Sequence, residues 1–179
     1  MNSFFQLIAR HRVLASTLFL AIFPFIMPYE ALAINILIFG LFAMGFNLLF
    51  GYMGLLSFGH AAFLGIGSYF TGVGIVHYGM PWGTAILVGI IGAAIGGLIM
   101  GYLAIRTRGI YFSMVTLALG QIVYYIFYKA ESLTGGENGL RGVRVDQFNI
   151  LGIPVDFLNP LVKYYIILFF VVLAIWLIS

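Results

Sequence analysis

The feature that most constrains this chain is a run without Asp, Glu, Lys or Arg that covers residues 31–105. One crossing takes about 20 residues, because a helix rises about 1.5 Å per residue and the hydrocarbon layer is about 30 Å thick. The 75 residues of the run are enough for three crossings. Glycine and proline punctuate the run at residues 51–59 and 77–81. The run therefore predicts three membrane-spanning helices with their turns.

Composition excludes several classes of protein. Only 7% of the 179 residues are charged, and 63% are hydrophobic, whereas a soluble domain carries about 25% charged residues. A soluble enzyme and a nucleic-acid-binding module are both excluded, and the 17% aromatic content excludes disorder. Cysteine is absent, so a disulfide framework and a thiolate metal site are excluded too.

Three further apolar segments flank the run. Continuous apolar segments without alternation predict helices rather than barrel strands. We expect an all-α fold, a polytopic membrane bundle of about six transmembrane helices that forms a single domain over residues 1–179. The predicted spans lie near residues 13–28, 31–50, 59–78, 82–105, 109–128 and 161–178.

The first span has an alternative interpretation as a cleaved signal peptide, since Ala31 and Ala33 resemble a cleavage site. The apolar sequence resumes at once at Ile34, which favours an uncleaved anchor. Arg10 and Arg12 place the N-terminus in the cytoplasm, because basic residues concentrate on that side. The 129–160 loop is then expected outside.

Glycine spacing in the fourth span predicts close helix packing. The pairs Gly92/Gly96 and Gly97/Gly101 are both of the small-xxx-small type, which lets helix backbones approach in lipid. Packing within the bundle is the leading interpretation, and contact with a partner subunit is the alternative.

The uncharged segment 51–60 is unusual for a turn between spans. Its glycines, with Ser57 and His60, predict irregular backbone within the membrane, which survives only where protein or a water-filled path satisfies it. The alternative is a tight buried turn in which Ser57 caps the third helix and His60 bonds a carbonyl. A Ser–His nucleophile pair would need an orienting carboxylate that these spans lack. With Asn47 and Gln121, the other polar candidates, these residues form a predicted solute pathway; helix association is the competing role.

A glycine-rich stretch lies in the loop after the fifth span. It lacks the spacing and the lysine of a phosphate-binding loop, so we interpret it as a turn-rich external loop. Its residues are Thr134, Gly135, Gly136, Asn138 and Gly139. No metal site is expected, and any energy source must come from another chain or from an ion gradient.

Three stretches carry a family resemblance: residues 47–69 (NLLFGYMGLLSFGHAAFLGIGSY), 106–120 (RTRGIYFSMVTLALG) and 133–140 (LTGGENGL). Together they resemble the permeases of branched-chain amino-acid ABC transporters, the LivH/LivM family, and are closer to its LivM branch. The resemblance runs from about residue 31 to 145. It is specific for the family and not for the solute, because urea and short-amide permeases share the pattern.

The resemblance implies a bacterial inner-membrane subunit for import of Leu, Ile and Val. Its partners would be a second permease subunit, two cytoplasmic ATPase subunits and a periplasmic solute-binding protein. ATP hydrolysis would belong to the ATPase chains, so this chain is not expected to be an enzyme or to hold a cofactor. The loop 134–139 would face the binding protein.

Length is the main departure from the family, whose members are about twice as long. The loop that docks onto the ATPase is expected beyond residue 179, which suggests a fragment or a truncated copy. The alternatives are therefore a urea or short-amide permease and a truncated, non-transporting membrane scaffold. A secondary carrier is disfavoured, since ion coupling usually leaves a carboxylate within the spans.

Overall fold

The computed structural model describes residues 12–27, 29–143, 148–150, 153–155 and 159–178. Seven α-helices occur in this part of the chain. They are α1 (Arg12–Ile26), α2 (Glu30–Asn47), α3 (Ala61–Val76), α4 (Trp82–Ala104), α5 (Ile110–Lys129), the single turn α6 (Glu131–Thr134) and α7 (Pro160–Ile178). A π-helical turn covers Leu48–Tyr52, and a 3₁₀ turn covers Gly136–Asn138.

The all-α prediction is confirmed, and each of the six predicted segments corresponds to one helix of 15 residues or more. Among the described residues, four helices are long and apolar enough to cross a membrane: Glu30–Tyr52 (α2 with the π turn), α4, α5 and α7. The apolar helices at Ser16–Phe25 and Ala61–Val76 are shorter. A small antiparallel hairpin, which the sequence did not predict, pairs β1 (Phe148–Ile150) with β2 (Ile153–Val155).

The described residues fall into two compact units, and the single-domain assignment stays a prediction. The first unit combines Met1–Gly45 with Asp146–Ser179. Its core is formed by side chains three or four residues apart on α2 and α7, so each helix contributes one face. Leu20 and other residues of α1 pack against this core. The buried core residues are Ala33, Leu37, Tyr164, Leu168 and Val171.

The second unit, Phe46–Val145, is organised around the hairpin of α3 and α4. A Cβ built on Gly89 would lie 2.0 Å from Thr71 Oγ1, and one on Gly96 would lie 2.5 Å from Ile66 Cδ1. Gly92 packs between these two glycines, against the Phe70 ring. Close packing on α3 therefore uses Gly89, Gly92 and Gly96, whereas Gly101 faces open space.

Candidate functional site

The backbone between α2 and α3 is irregular over several residues. After the π turn, residues 54–57 adopt no regular secondary structure and residues 58–60 form a turn. Gly54 permits the change of direction with φ +65°. The 16 residues of α3 span only about 24 Å, short of the roughly 30 Å of a crossing. The backbone is irregular as predicted, its place within a membrane stays a prediction, and we call residues 54–60 the unwound segment.

Two hydroxyl groups of α5 satisfy backbone groups of the unwound segment. Ser113 Oγ donates to the Leu56 carbonyl at 2.7 Å, and the Phe58 N–H donates to Thr116 Oγ1 at 3.2 Å. Thr116 Oγ1 in turn donates to the Ser113 carbonyl at 3.0 Å. Ser113 and Thr116 are both buried. These bonds supply what unwound backbone needs where water is scarce.

The same face of α5 also meets the unwound segment backbone to backbone. A Cβ on Gly59 would lie 2.1 Å from the Thr116 carbonyl oxygen, and a Cβ on Gly120 would lie 3.1 Å from Gly59 Cα. Ser113, Thr116 and Gly120 are three and four residues apart, so they share one face of the helix. This docking face was not predicted, because its only signal in the sequence is two hydroxyls and a glycine at helical spacing.

A cavity of about 440 Å³ lies beside the unwound segment. Its walls come from Phe58 and Gly59, from α3 between Ala61 and Tyr69, from α5 between Leu117 and Tyr128, and from the 3₁₀ turn with Gly139. Most of the wall is apolar or aromatic. The polar side chains on it are Tyr69, Gln121, Tyr124, Tyr128 and Glu137.

Of the four predicted pathway residues, only Gln121 lies on the wall of this cavity as the described residues define it. Ser57 is buried next to Phe58. Ser57 does not cap α3, because the helix begins at Ala61 with His60 at the N-cap position and without a side-chain cap. The alternative role predicted for Ser57 is therefore wrong.

His60 is the last residue of the unwound segment, and Asn47 directly precedes the π turn. The His60 ring is held edge-on between Phe46 and Phe63, at centroid distances of 5.8 Å and 5.5 Å. Asn47 is the last residue of α2, and its Oδ1 would lie 3.0 Å from a Cβ on Gly51. The Asn47 side chain therefore lies against the π turn.

The predicted external loop is tightly built. Thr134 is 2% exposed, and its Oγ1 lies 2.6 Å from the Phe127 carbonyl and 2.9 Å from the Ala130 carbonyl. The Gly136 N–H donates to Thr134 Oγ1 at 3.3 Å. Gly135 adopts φ +77°, and a Cβ there would lie 2.2 Å from the Gly139 carbonyl oxygen. Glycine is therefore required at Gly135, and Thr134 fixes the loop to the end of α5.

Two further contacts complete the loop. The Asn138 N–H donates to the Gly135 carbonyl at 3.1 Å, which closes the 3₁₀ turn. His77 Nε2, at the end of α3, lies 3.0 Å from the Leu133 carbonyl. Gly136 and Gly139 reach the cavity wall together with Gln121. The structure thus brings part of the predicted loop and one predicted pathway residue to the same cavity.

The chemistry available at this cavity is that of binding. Among the described residues, no group of three or more His, Cys, Asp or Glu could hold a metal ion. The cavity wall offers aromatic faces, one carboxamide and one carboxylate. Such a wall suits a small solute with an apolar part and a polar end.

Comparison with known proteins gives a consistent result. The family model described as "Branched-chain amino acid transport system / permease component" matches residues 29–179. The chain is 33% identical over 104 residues to the high-affinity branched-chain amino acid transport system permease protein LivM of Escherichia coli K12, which covers 58% of this chain and 24% of that protein. The Salmonella typhimurium LT2 protein of the same name is 34% identical over 105 residues, with the same shares of each chain covered. The match therefore spans about a quarter of the length of these relatives. No solved structure matches the chain.

Proposed function

Because the chain belongs to the family of branched-chain amino acid transport system permease components, we propose that it is a membrane-spanning subunit of an ABC importer. Its solutes would be Leu, Ile and Val, and the chain would form part of their translocation pathway. Permeases of this family are transport components, so no catalytic role is assigned to the chain.

The observation that carries the proposal is the unwound segment beside the cavity. Irregular backbone at membrane depth is tolerated where protein buries it or where it lines a solute path. Here Ser113 and Thr116 satisfy backbone groups of the segment, and its residues Phe58 and Gly59 line the cavity together with α5. This arrangement is typical of a pathway constriction rather than of a simple helix turn.

Gln121 is the pathway residue that the geometry supports best, because it lies on the cavity wall. Asn47, which precedes the π turn, and Ser57 and His60, which belong to the unwound segment, remain proposed pathway residues. The side chain of His60 between two phenylalanine rings also suits a role in holding the start of α3.

The proposed assembly is that of an ABC importer in a bacterial inner membrane. A second permease subunit, two cytoplasmic ATPase subunits and a periplasmic solute-binding protein would complete it. With the N-terminus in the cytoplasm, the loop 134–139 would face the periplasm and the binding protein. ATP-driven motion of the ATPases would open the cavity alternately to the two sides.

The proposal is tested by uptake of radiolabelled leucine and urea in bacteria that lack their own LivM-type permease. The 179-residue chain and a version extended to full family length are each expressed with the presumed partners. Restored leucine uptake is the expected result for at least one of them. Uptake of urea alone would overturn the branched-chain assignment, and no uptake by either version would favour the scaffold alternative.

A substitution in the same assay links uptake to the cavity. Gln121→Leu removes the carboxamide from the wall and should lower leucine uptake, while Gly101→Ala, which meets no atom within 4 Å, should leave it unchanged. Equal uptake by both variants would exclude Gln121 from the pathway.

A further inference from the structure

The cavity beside the unwound segment has one fixed charge on its wall. Glu137 is the only Asp, Glu, Lys or Arg among the residues that line it in the described part of the chain. We propose that this cavity binds the ammonium group of a solute, with Glu137 as its counter-charge and the rings of Tyr124 and Tyr128 as its aromatic wall. This inference deepens the proposed function and rests on it for its place in transport.

The position of Glu137 is set by the loop that carries it. Glu137 is the middle residue of the 3₁₀ turn Gly136–Asn138. That turn follows Thr134, whose buried hydroxyl bonds to the end of α5 and accepts the Gly136 N–H. The turn therefore cannot shift far along α5, and it keeps the exposed Glu137 at the wall of the cavity.

Two tyrosines on successive turns of α5 provide the aromatic wall. The rings of Tyr124 and Tyr128 stack with centroids 5.8 Å apart and planes 25° apart. The Tyr128 carbonyl would lie 3.3 Å from a Cβ on Gly136, so the Tyr128 end of α5 adjoins the turn that carries Glu137. Tyrosine faces attract cations through the ring quadrupole, so carboxylate and rings favour the same kind of group.

The rest of the cavity suits an apolar side chain. Phe58, Ala62 and Leu117 line it, and its volume of about 440 Å³ falls within the usual range for small-molecule sites. Among the described residues the wall carries a carboxylate and no cation, which disfavours an anionic solute by charge repulsion. A neutral amide such as urea can donate hydrogen bonds to the carboxylate, but it gains no charge attraction and has no apolar part for the rest of the wall. The wall therefore selects an apolar amine or the ammonium end of an apolar amino acid.

Glu137 and Gln121 act at different depths. Gln121 precedes Tyr128 by seven residues of α5, which corresponds to about 10 Å along the helix. Both side chains line the same cavity. In the proposed sequence, the solute meets Glu137 at the loop first and reaches Gln121 beside the unwound segment afterwards.

The test uses ligand-observed NMR (saturation transfer) on the complete 179-residue chain in detergent micelles. The probes are leucine, 3-methylbutylamine, which lacks the carboxylate, 4-methylpentanoate, which lacks the ammonium group, and the neutral amide acetamide, whose methyl protons do not exchange with water. We expect saturation transfer to leucine and to 3-methylbutylamine, and none to 4-methylpentanoate or acetamide.

Charge variants identify the group responsible. Glu137→Gln should weaken 3-methylbutylamine binding about threefold to tenfold, the range between exposed and well-formed charged contacts. Glu131→Gln is the matched control, because Glu131 is an exposed acid of the same loop that does not line the cavity; binding should be unchanged. Glu137→Lys should abolish amine binding and admit 4-methylpentanoate.

The outcomes separate the two proposals. Equal binding of 4-methylpentanoate and 3-methylbutylamine, or an unchanged affinity in Glu137→Gln, overturns the ammonium site whatever the uptake assay gives. Failed leucine uptake with Glu137-dependent amine binding would instead overturn the transport role and leave the site standing.

Discussion

Gly59 lies so close to Thr116 that a Cβ on the glycine would be 2.1 Å from the threonine carbonyl oxygen. The obstacle is backbone, which cannot move aside as the end of a side chain can. At this contact the unwound segment crosses α5, and the hydroxyl bonds of Ser113 and Thr116 lie directly beside it. The first two predictions concern this crossing.

Gly59→Ala should separate the unwound segment from α5. We expect a loss of unfolding free energy near the upper end of the overpacking range, about 3 kcal/mol. The measurement is unfolding by SDS titration in mixed micelles. Gly101→Ala is the control, since its Cβ meets nothing within 4 Å. Equal stability of the two variants would contradict the close crossing.

Removing the hydroxyls of α5 should leave backbone groups of the unwound segment without their partners. Ser113→Ala frees the Leu56 carbonyl and Thr116→Val frees the Phe58 N–H, and each should cost about 1–2 kcal/mol of unfolding free energy. Ser68→Ala provides the comparison, because Ser68 Oγ donates to the Leu64 and Gly65 carbonyls of its own helix. A loss in Ser68→Ala as large as in Ser113→Ala would show that the inter-segment bonds add no stability.

Thr134→Val should loosen the loop that carries Glu137. The substitution keeps the side-chain shape but removes the oxygen that joins the Gly136 N–H to the end of α5. Amide hydrogen exchange over residues 135–140 should become about tenfold faster. Thr134→Ser retains the hydroxyl and should exchange close to the wild-type rate; similar acceleration in both variants would argue for lost packing instead.

Tyr164→Phe should weaken the first unit. The Tyr164 side chain is 1% exposed, and its hydroxyl donates to the Leu20 carbonyl at 2.5 Å. We expect a loss of about 1 kcal/mol of unfolding free energy. Tyr165→Phe is the paired control: that ring is more exposed and its hydroxyl bond to Ala21 is longer, at 3.3 Å. A larger loss in Tyr165→Phe than in Tyr164→Phe would contradict the conclusion that the Tyr164 hydroxyl bond contributes more to stability.

Helix positions were largely predictable because lipid imposes length and apolarity on a spanning segment. The prediction of 82–105 corresponds to Trp82–Ala104, and that of 109–128 to Ile110–Lys129, since Pro81 precedes the first helix and Gly109 the second. The β1–β2 hairpin could not be predicted, because strands of three residues leave no readable alternation.

The docking contacts were not predictable, because they depend on which faces meet. Glycine spacing marked Gly97 and Gly101 as strongly as Gly92 and Gly96, yet α3 lies over the latter pair. The Ser113 bond to Leu56 crosses 57 residues of chain, so no local pattern encodes it. Glycine density in the sequence marked the loop as a turn-rich segment. It could not single out Glu137, because only the fold places this residue on a cavity wall beside α5.

The bond between Tyr164 and Leu20 also has a consequence for biogenesis. The two residues are separated by 144 positions, which a ribosome needs about 7–30 s to synthesise at roughly 5–20 residues per second. Helices α3 and α4, by contrast, are adjacent in the chain, so their hairpin can form as soon as both are inserted. Helix α1 can therefore form its bond with α7 only after α7 has been inserted. Until then, lipid or the insertion machinery must cover the face of α1 that later contacts α7, and the first unit cannot be completed.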